Sequence, residues 1–568
     1  MSILNKASLA PSIPVLVALL VLIPALVYMG SLQNGFIWDD DLVITHNDFV
    51  KSWKNFPMIF TKAYLSPFSP LEEGVYPGSG ETTYRPVVTM SYFLDYAIWK
   101  MNPFGYHLTN LAWHLLNVLL LFFFAGLLLK KWWGAFWVAL LFAVHPVNSE
   151  AVSVISFRED LLVFFFYIGT WILFILKDRA PGKQQGVFSL ASASCFFLAL
   201  FSKEMAITLP ITLIAYDYFF TFGQKWKELV SQARSRYGLY FLIVFLYLGV
   251  WFYFKQEGLT ASYPYPGGSF YTNFLTMAKV FAVYLQWILF PFRVHPTLQS
   301  TFPPIMAHSI LEPKVLFSIG VIFAYALTVL MLRKKKREIS FALLWFCVAL
   351  LPVSNLIPIA SIIASRYLYL PLAGFSMAIA LFFLEIFELR VPLISEAFWK
   401  RLVLDFSIIV LALLSMITVL MHPIWKNNIS LWTKISSEYP RDPDSHLNLA
   451  YFWGELGRLD QAIREYEMAI QLYPVYPVAY NKYGATLGSF GHYQKALKLF
   501  KEAIRLDPQS VCAYNNLGAT YANLKNWGEA EKAWRQALVL NPNNGDVQRN
   551  LKKLEEFSPY RKNDAKMR

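Results

Sequence analysis

The chain has 568 residues, of which 56% are hydrophobic and 17% aromatic, and its mean hydropathy is +0.41. A water-soluble protein of this length cannot bury so much apolar surface, so the composition excludes a soluble enzyme and predicts an integral membrane protein. The net charge is +13, but the basic residues stand in short clusters between apolar runs, which is typical of membrane loops and argues against nucleic-acid binding. Three cysteines without a CxxC spacing support neither a disulfide framework nor a zinc site.

Eleven apolar runs are long enough to cross a bilayer. They occupy 13–29, 108–129, 133–149, 159–177, 188–203, 205–222, 237–254, 315–332, 340–357, 367–388 and 402–421. The first is long for a secretory signal and no small-residue cleavage motif follows it, so we expect it to be retained as a span. Basic clusters such as 333–338 predict an inside N-terminus and about eleven spans. A further run, 277–292, would move that cluster to the opposite side if it crossed, so we expect a re-entrant or interfacial helix there.

Three segments then fall outside the membrane on one face: a first loop at 30–107, a second at 255–312, and everything after residue 421. The first loop contains three consecutive carboxylates, Asp39, Asp40 and Asp41. Like charges this close to hydrocarbon are costly to keep ionised, which points to a functional role.

The C-terminal part repeats with a period of 34 residues. Prolines recur with this spacing, as do small residues and aromatic residues: Pro474, Pro508 and Pro542; Ala450, Gly484 and Gly518; Tyr466, Phe500 and Trp534. This is the tetratricopeptide pattern, in which small residues let paired helices approach and aromatics fill the gap. We predict a linker at 422–442, about three repeats and a capping helix within 443–557, and a polar tail at 558–568.

Tetratricopeptide repeats present a groove to a peptide or partner protein and perform no chemistry themselves. Asn481 and Asn515 lie one repeat apart on the helix expected to face the groove, where they could hydrogen-bond an extended peptide backbone. Solvated surface side chains are an equally open interpretation of these two residues.

Four cations, Arg85, Arg158, Lys203 and Arg366, lie at the outer ends of predicted spans, on the face of the carboxylates. This combination fits the transfer of a sugar from a polyprenyl phosphate, which needs cations for the leaving phosphate and one base for the acceptor's proton. Cations at span ends also anchor helices at the interface, and a transporter with a charged vestibule fits the same composition.

Motifs distributed over nearly the whole chain resemble one family. They are FIWDDDLVI, YRPVVTMSY, FGYHLTNLAWHLLN, HPVNSEAVSVISFREDLL, SKEMAIT, LPVSNLIPI, SRYLYLPLAGF and WKNNISLW, in this order. Together they are similar to the transmembrane and tetratricopeptide repeat-containing (TMTC) proteins of the GT-C class of membrane glycosyltransferases. The resemblance implies an all-α fold with a polytopic GT-C domain at 1–421. It also implies inverting transfer of a sugar, typically mannose, from a dolichyl or polyprenyl phosphate to a protein Ser or Thr hydroxyl.

The resemblance also implies residue roles. The family's Asp-Asp pair falls on Asp39 and Asp40, with Asp40 marginally preferred as the base, while Asp41 stands at a variable position. Donor phosphate contacts fall to Arg366, Arg85, Arg158 and Lys203, and supporting positions to His107, His114, His145, Glu150, Asp160 and Glu204. Glu150 and Asp160 either orient Arg158 or form a purely structural ion pair. Where the family often has Ala-Glu-Arg, this chain has Ala364-Ser365-Arg366, so an acid role at position 365 is in doubt.

The short repeat array favours a bacterial member that uses an undecaprenyl lipid. We expect the inner membrane with the repeats in the periplasm, or alternatively the endoplasmic reticulum membrane with the repeats in the lumen. The expected partners are the lipid-linked donor, an acceptor protein and membrane lipid. Asp39, Asp40 and Asp41 could bind Mg²⁺ or Mn²⁺ together with waters, but a metal is not favoured, because adjacent carboxylates alone make a poor cage. Two other functions fit the sequence: a non-enzymatic scaffold that docks envelope proteins through the repeats, and a lipid-linked saccharide polymerase with a glycan acceptor.

Overall fold

The structure is a computed structural model that describes residues 12–60, 84–256, 265–294, 305–359, 361–392 and 394–557. Within these ranges the chain is helical, with no strand. The α-helices are α1 Ile13–Tyr28, α2 Pro86–Trp99, α3 Pro103–Leu129, α4 Trp132–Val144, α5 Ser149–Ser153, α6 Arg158–Arg179, α7 Gln184–Leu200, α8 Leu209–Tyr216, α9 Trp226–Gln256, α10 Phe270–Leu289, α11 Pro313–Lys335, α12 Arg337–Leu350, α13 Tyr369–Glu388, α14 Glu396–Met421, α15 Asn428–Glu438, α16 Pro443–Glu455, α17 Leu459–Leu472, α18 Pro477–Ser489, α19 Tyr493–Leu506, α20 Val511–Asn523, α21 Trp527–Leu540 and α22 Gly545–Phe557.

The described chain forms two compact units, one ending at Asn427 and one beginning at Asn428. The first unit contains seven helices long and apolar enough to cross a membrane, or eight if the bent pair α4 and 146–153 is one span. The seven are Ile13–Gln33, Pro103–Leu129, Ile155–Arg179, Trp226–Phe254, Pro313–Lys335, Ser365–Glu388 and Glu396–Trp425. The predicted class, an all-α polytopic membrane protein, is confirmed.

The predicted count of about eleven spans is too high by these criteria. Three of the predicted runs contain the short α-helices α7, α8 and α12, of 17, 8 and 14 residues. At 1.5 Å per residue even α7 reaches about 26 Å, short of the roughly 30 Å hydrocarbon core. α8 continues directly into the π-helix Asp217–Thr221, and α12 into the 3₁₀ helix Leu351–Val353. α10, which covers most of the ambiguous run 277–292, is also absent from the seven candidates among the described residues.

The core of the first unit surrounds α6: in the most apolar stretch of the helix Ile155–Arg179, 72% of the residues are buried. In the corresponding stretch of α11 only 11% are buried, and apolar side chains are exposed along the helix. Exposed apolar surface of this kind suits contact with lipid. α1 packs on α3 and α4 through Leu16, Leu20 and Val27, which share one helical face. α12 and α13 approach closely at Gly374, where a Cβ atom would lie 2.6 Å from the Ala342 carbonyl oxygen. This packing holds the first turns of α6 and α13 beside each other.

The second unit contains the predicted repeats as three helix pairs, α16 to α21, followed by α22. The small and aromatic residues pack as their spacing predicts: a Cβ atom at Gly484 would meet the Phe500 ring at 2.8 Å, and one at Gly518 would meet Trp534 at 2.7 Å. The expected linker 422–442 is not an open connection, because it contains helix α15, which packs on α16.

Candidate active site

One short turn and the residues just after it contact three of the predicted site residues, Asp40, Arg85 and Arg366. The turn Ile155–Phe157 leads into α6, and each of its neighbours contacts a different part of the site. The Ser156 amide donates to Asp40 Oδ1 at 2.7 Å. The Phe157 ring lies under the Arg366 guanidinium, with 3.9 Å from Cζ to the ring centroid. Glu159 Oε1 accepts from Arg85 Nη1 at 2.9 Å. Motifs far apart in the sequence therefore meet at this turn.

Asp40 is bound on both of its carboxylate oxygens. Besides the bond from Ser156, Asp40 Oδ2 accepts the amide of Ile37 at 3.0 Å, and the side chain is fully buried. Burial raises the pKa of Asp40 to about 7, although the two amides act in the opposite direction. Asp40 thus ties the first loop to the start of α6.

The loop is strained immediately before the carboxylate pair. Trp38 has φ +55°, in the left-handed region that a bulky side chain rarely adopts. Its buried indole packs edge-on against Phe157, with ring centroids 5.6 Å apart. Such strain persists only where the surroundings hold it, and it is frequent at functional sites.

The three consecutive carboxylates have different surroundings. Asp39 is buried but retains 4% exposure, and its backbone carbonyl accepts the amides of Leu42 and Val43. Asp41 is half-buried and accepts the Thr45 hydroxyl at 2.9 Å, which makes it part of the following turn. The triplet therefore contains a loop anchor, Asp40, a turn residue, Asp41, and Asp39, which is the member of the Asp39–Asp40 pair with some exposure.

Three of the four predicted cations line one small cavity. Arg85, Lys203 and Arg366 share a pocket of about 40 Å³ with Glu159 and Glu204. These three cations lie more than 100 residues apart in the sequence, so the fold alone brings them together.

Each cation in the pocket faces a carboxylate. Arg85 Nη2 pairs with Glu204 at 2.8 Å, Lys203 Nζ with Asp160 at 2.7 Å, and Arg366 Nη1 with Glu150 at 2.7 Å. Together with Glu159, four carboxylates compensate three cations, as buried charges require. Burial acts to raise the pKa of Glu204, but the charges of Arg85 and Lys203 hold it below its usual range. Glu204 is therefore ionised at neutral pH.

Arg158 does not line this pocket, and we withdraw it from the donor site. It is fully buried, pairs with Asp95 at 2.6 Å, and donates through Nε to Asn110 Oδ1 at 2.7 Å. The expected pairing of Glu150 and Asp160 with Arg158 is therefore wrong: each neutralises a pocket cation instead. The ion-pair partner of Arg158 is Asp95 of α2, which is 63 residues away in the sequence and could not be predicted from the neighbours of Arg158.

The three predicted histidines are buried and bond to backbone or to a neighbouring side chain. His107 Nε2 lies 3.3 Å from the Gly35 carbonyl, at the start of the carboxylate loop. His114 bridges the Tyr369 hydroxyl and the Ala143 carbonyl, and His145 Nε2 lies 3.0 Å from the Ile288 carbonyl. None of the three lines the cation pocket, so their contacts support packing around the site.

Position 365 is explained by its neighbour Glu150. The Ser365 hydroxyl donates to Glu150 Oε2 at 2.5 Å, and the Arg366 amide donates to the same oxygen at 3.2 Å. A Glu at position 365, as in the resembling family, would bring a second carboxylate against Glu150. With Ser there, Glu150 holds Arg366 through both its side chain and its backbone.

A second cavity adjoins the cation pocket and was not predicted. It has a volume of about 590 Å³, is lined by apolar side chains of α10, α11 and α12, and shares Val353 with the cation pocket. Loop 351–359 separates the two spaces. Asn355, at φ +57°, fixes this loop by donating to Asn273 Oδ1 at 2.7 Å and accepting from Asn273 Nδ2 at its own carbonyl.

The asparagines of the repeats form an inter-repeat ladder. Asn516 Nδ2 donates to Asn481 Oδ1 at 3.0 Å, and Asn550 Nδ2 donates to Asn515 Oδ1 at 3.0 Å. Asn481 is buried and Asn515 half-buried, so neither is a solvated surface side chain. The sequence interpretation overlooked Asn516 and Asn550, although they too lie 34 residues apart.

Comparisons with known proteins agree with this organisation. Two family models match the C-terminal part: "Tetratricopeptide repeat" over residues 511–544 and "TPR repeat" over residues 489–525. The human protein O-mannosyl-transferase TMTC1 is 26% identical over 512 residues, covering 82% of this chain and 56% of the human protein. The mouse protein O-mannosyl-transferase TMTC3 is 26% identical over 408 residues, covering 64% of this chain and 42% of its own length. The chain thus spans about half the length of these relatives.

A solved structure of ArnT from Cupriavidus metallidurans, bound to undecaprenyl phosphate, aligns with 88% of this chain and 81% of its own at 10% identity and a TM-score of 0.36.

In the part of the chain that the structure describes, no three His, Cys, Asp or Glu side chains are grouped to hold a metal ion. The sequence resemblance to the TMTC proteins is confirmed by the relatives, to which this chain is similar over as much as 82% of its length. As the resemblance implies, the structure has a multi-helix membrane unit, and the family models match tetratricopeptide repeats near its C-terminal end.

Proposed function

We propose that this protein transfers a sugar from a polyprenyl phosphate to Ser or Thr hydroxyls of proteins, and that the sugar is mannose. The observation that carries this proposal is that a cation-lined pocket and an apolar cavity of about 590 Å³ lie next to the same loop, with Val353 lining both. A ligand that fills both has an anionic head and a hydrocarbon tail, as a polyprenyl phosphate has. The relatives are protein O-mannosyl-transferases, which supports the same reaction.

The leaving phosphate binds to Arg85, Lys203 and Arg366. Negative charge develops on the phosphate oxygen as the bond to the sugar breaks, and fixed cations in a water-poor pocket stabilise that charge. Because the buried carboxylates of Glu150, Glu159 and Asp160 hold the cations in place, little reorganisation is needed during the reaction. The apolar cavity binds the first part of the prenyl chain; its volume lies within the range of about 300–1,000 Å³ that suits a drug-sized ligand.

Asp39 is the base in this proposal, and Asp40 positions the loop. Both oxygens of Asp40 already accept backbone amides, whereas Asp39 is the member of the pair with some exposure. Asp39 accepts the proton of the acceptor hydroxyl while that oxygen attacks the anomeric carbon opposite the phosphate. The new glycosidic bond forms, the carbon–oxygen bond to phosphate breaks, and polyprenyl phosphate leaves with the bonding electrons. The anomeric configuration is inverted.

The repeats recruit the acceptor. The two Asn–Asn pairs retain amide hydrogens and lone pairs beyond their mutual bonds, which suits recognition of an extended peptide backbone. We assign the reaction to the extracytoplasmic face, with the bacterial inner membrane as the first compartment to test.

The test is a transfer assay with the purified full-length protein in lipid nanodiscs, radiolabelled polyprenyl-phosphate mannose, and Ser/Thr-containing acceptor proteins from the same cell envelope. The proposal predicts alkali-labile label on Ser or Thr of an acceptor protein. It also predicts at least a hundredfold loss in Arg366→Gln, since a charge-assisted contact to phosphate is lost. Label found in a glycan and never in protein would identify a saccharide polymerase. Acceptor binding without any transfer would identify a scaffold.

A further inference from the structure

Glu204 differs from the other carboxylates of the cation pocket in its exposure. Its side chain is 39% exposed, whereas those of Glu159, Asp160 and Glu150 are 8%, 2% and 0% exposed. It stands at the start of the short turn Glu204–Thr208 after α7. Glu204 is therefore the one carboxylate of these four whose side chain can rotate into water without crossing the buried interior of the protein.

Glu204 occupies one half of the Arg85 fork. Arg85 Nη1 is held by the buried Glu159 at 2.9 Å, while Nη2 donates to both oxygens of Glu204, at 2.8 and 3.1 Å. Phosphate oxygens accept hydrogen bonds from guanidinium N–H groups as carboxylate oxygens do. The Nη2 side of Arg85 is thus already in contact with an anion supplied by the chain.

The lining of the pocket supports the same conclusion. Glu204 lines it together with the three cations. Because Glu204 lines the pocket and is its most exposed carboxylate, its departure enlarges the pocket at the lowest cost.

We infer that Glu204 is a placeholder for the donor phosphate: it binds Arg85 in the empty protein, is displaced when the lipid phosphate enters, and returns as the product leaves. This inference rests on the proposed function. With Glu204 turned outward, three carboxylates remain against three cations, and the donor phosphodiester brings one negative charge in its place. The product is a phosphomonoester with nearly two charges at neutral pH. The returning Glu204 competes with this product for Arg85, so Glu204 is a positioning residue that promotes release.

The experiment measures equilibrium binding of undecaprenyl phosphate to the full-length protein in nanodiscs, with undecaprenol as the phosphate-free probe. Glu204→Gln is expected to bind undecaprenyl phosphate about three- to tenfold more tightly, as expected for loss of a half-exposed competing charge. Binding of undecaprenol is expected to stay the same. Glu312→Gln is the matched control, because Glu312 is also partly exposed, at 31%, and pairs with Lys279 outside the cation pocket.

Kinetics provide a readout that a merely structural role does not change. In Glu204→Gln, undecaprenyl phosphate becomes a stronger product inhibitor by the same factor, and KM for the donor falls. Glu204→Asp keeps the charge with a shorter reach to Arg85 and is expected to fall between Gln and wild type, so it tests the inference even if the Gln variant does not fold.

Folded variants that bind undecaprenyl phosphate as wild type does, or more weakly, overturn the placeholder role. Weaker binding would show that Glu204 instead orients Arg85 for the phosphate. Failure of the proposed function has a different signature: wild-type protein that binds undecaprenyl phosphate no better than undecaprenol has no phosphate site in this pocket. That result overturns both proposals.

Discussion

The guanidinium carbon of Arg366 lies 3.9 Å from the centroid of the Phe157 ring. The other contacts of Phe157 connect this pair to the carboxylate loop, because the indole of Trp38 packs against the same ring. A cation over an aromatic face gains about 0.5–2 kcal/mol, more when it is dehydrated. One aromatic ring therefore helps to position both the phosphate-binding cation and the loop that carries the base.

Phe157→Leu tests this connection. Leucine retains most of the apolar volume but removes the ring face, so kcat/KM for mannose transfer is expected to fall by about three- to thirtyfold, from the lost cation–π energy. Phe124→Leu, a fully buried ring packed on Trp171 and Trp345 away from the pocket, is the control for loss of aromatic packing. Equal effects of the two substitutions on transfer would remove any special role for the Phe157 ring.

The buried carboxylate of Asp40 gives a pH-dependent stability. Its pKa is raised by burial to about 7 in the folded protein, so the folded state binds a proton that the unfolded state releases near pH 4. The contribution of this group to the free energy of unfolding is at its maximum below about pH 4, decreases between pH 4 and 7, and is lost above about pH 7. The melting temperature of wild type relative to Asp40→Asn is expected to fall between pH 4.5 and 7 and to level off near pH 8. Parallel pH profiles of the two proteins would show that Asp40 does not titrate in this range.

The loop between the two cavities depends on the Asn273–Asn355 pair. Asn355→Gly keeps the φ of +57° accessible while removing both side-chain bonds of Asn355, including the one that its Oδ1 accepts from the Ile359 amide. Each lost buried bond costs about 1–2 kcal/mol. KM for an undecaprenyl donor is therefore expected to rise about five- to thirtyfold.

A short-chain donor serves as the control for this variant, because it does not fill the apolar cavity. Its KM is expected to change less than that of the long-chain donor. The same rise for both donors would mean that loop 351–359 positions only the phosphate and not the chain.

Two glycines of the repeats form a matched pair. A Cβ atom at Gly484 would lie 2.8 Å from the Phe500 ring, whereas at Gly528 no atom lies within 4 Å. Gly484→Ala is expected to destabilise the repeats by about 1–3 kcal/mol through overpacking, and Gly528→Ala to leave them unchanged or slightly more stable. Hydrogen exchange of the α18 and α19 amides in the full-length protein measures the difference. Equal protection in the two variants would show that the first repeats can relax around Phe500.

The sequence predicted the local features of this molecule well. The 34-residue period identified the repeats and the small residues beneath Phe500 and Trp534, because such packing is encoded in each unit. The position of cations at the outer ends of predicted spans identified Arg85, Lys203 and Arg366, which line one pocket, together with Arg158, which does not.

The partners of these residues could not be predicted, because they depend on tertiary packing. Arg158 bonds to Asp95 from α2 and not to its neighbours in the sequence, and Glu159 enters the pocket although no motif singled it out. The apolar cavity arises from the relative positions of three helices, and the sequence of any one of them does not predict it. The span count was too high because hydropathy does not show where a regular α-helix ends. α8 changes into the π-helix Asp217–Thr221 and α12 into the 3₁₀ helix Leu351–Val353 within apolar runs.

The most direct test measures two properties of Asp39→Asn: the rate of mannose transfer and the binding of undecaprenyl phosphate. The asparagine has the same shape but cannot accept the acceptor's proton, so single-turnover transfer of mannose is expected to fall at least a thousandfold, as for loss of an essential base. Undecaprenyl phosphate is expected to bind Asp39→Asn as it binds wild type, because Asp39 does not line the cation pocket. Transfer by folded Asp39→Asn at the wild-type rate would contradict the assignment of the base and, with it, the proposed mechanism.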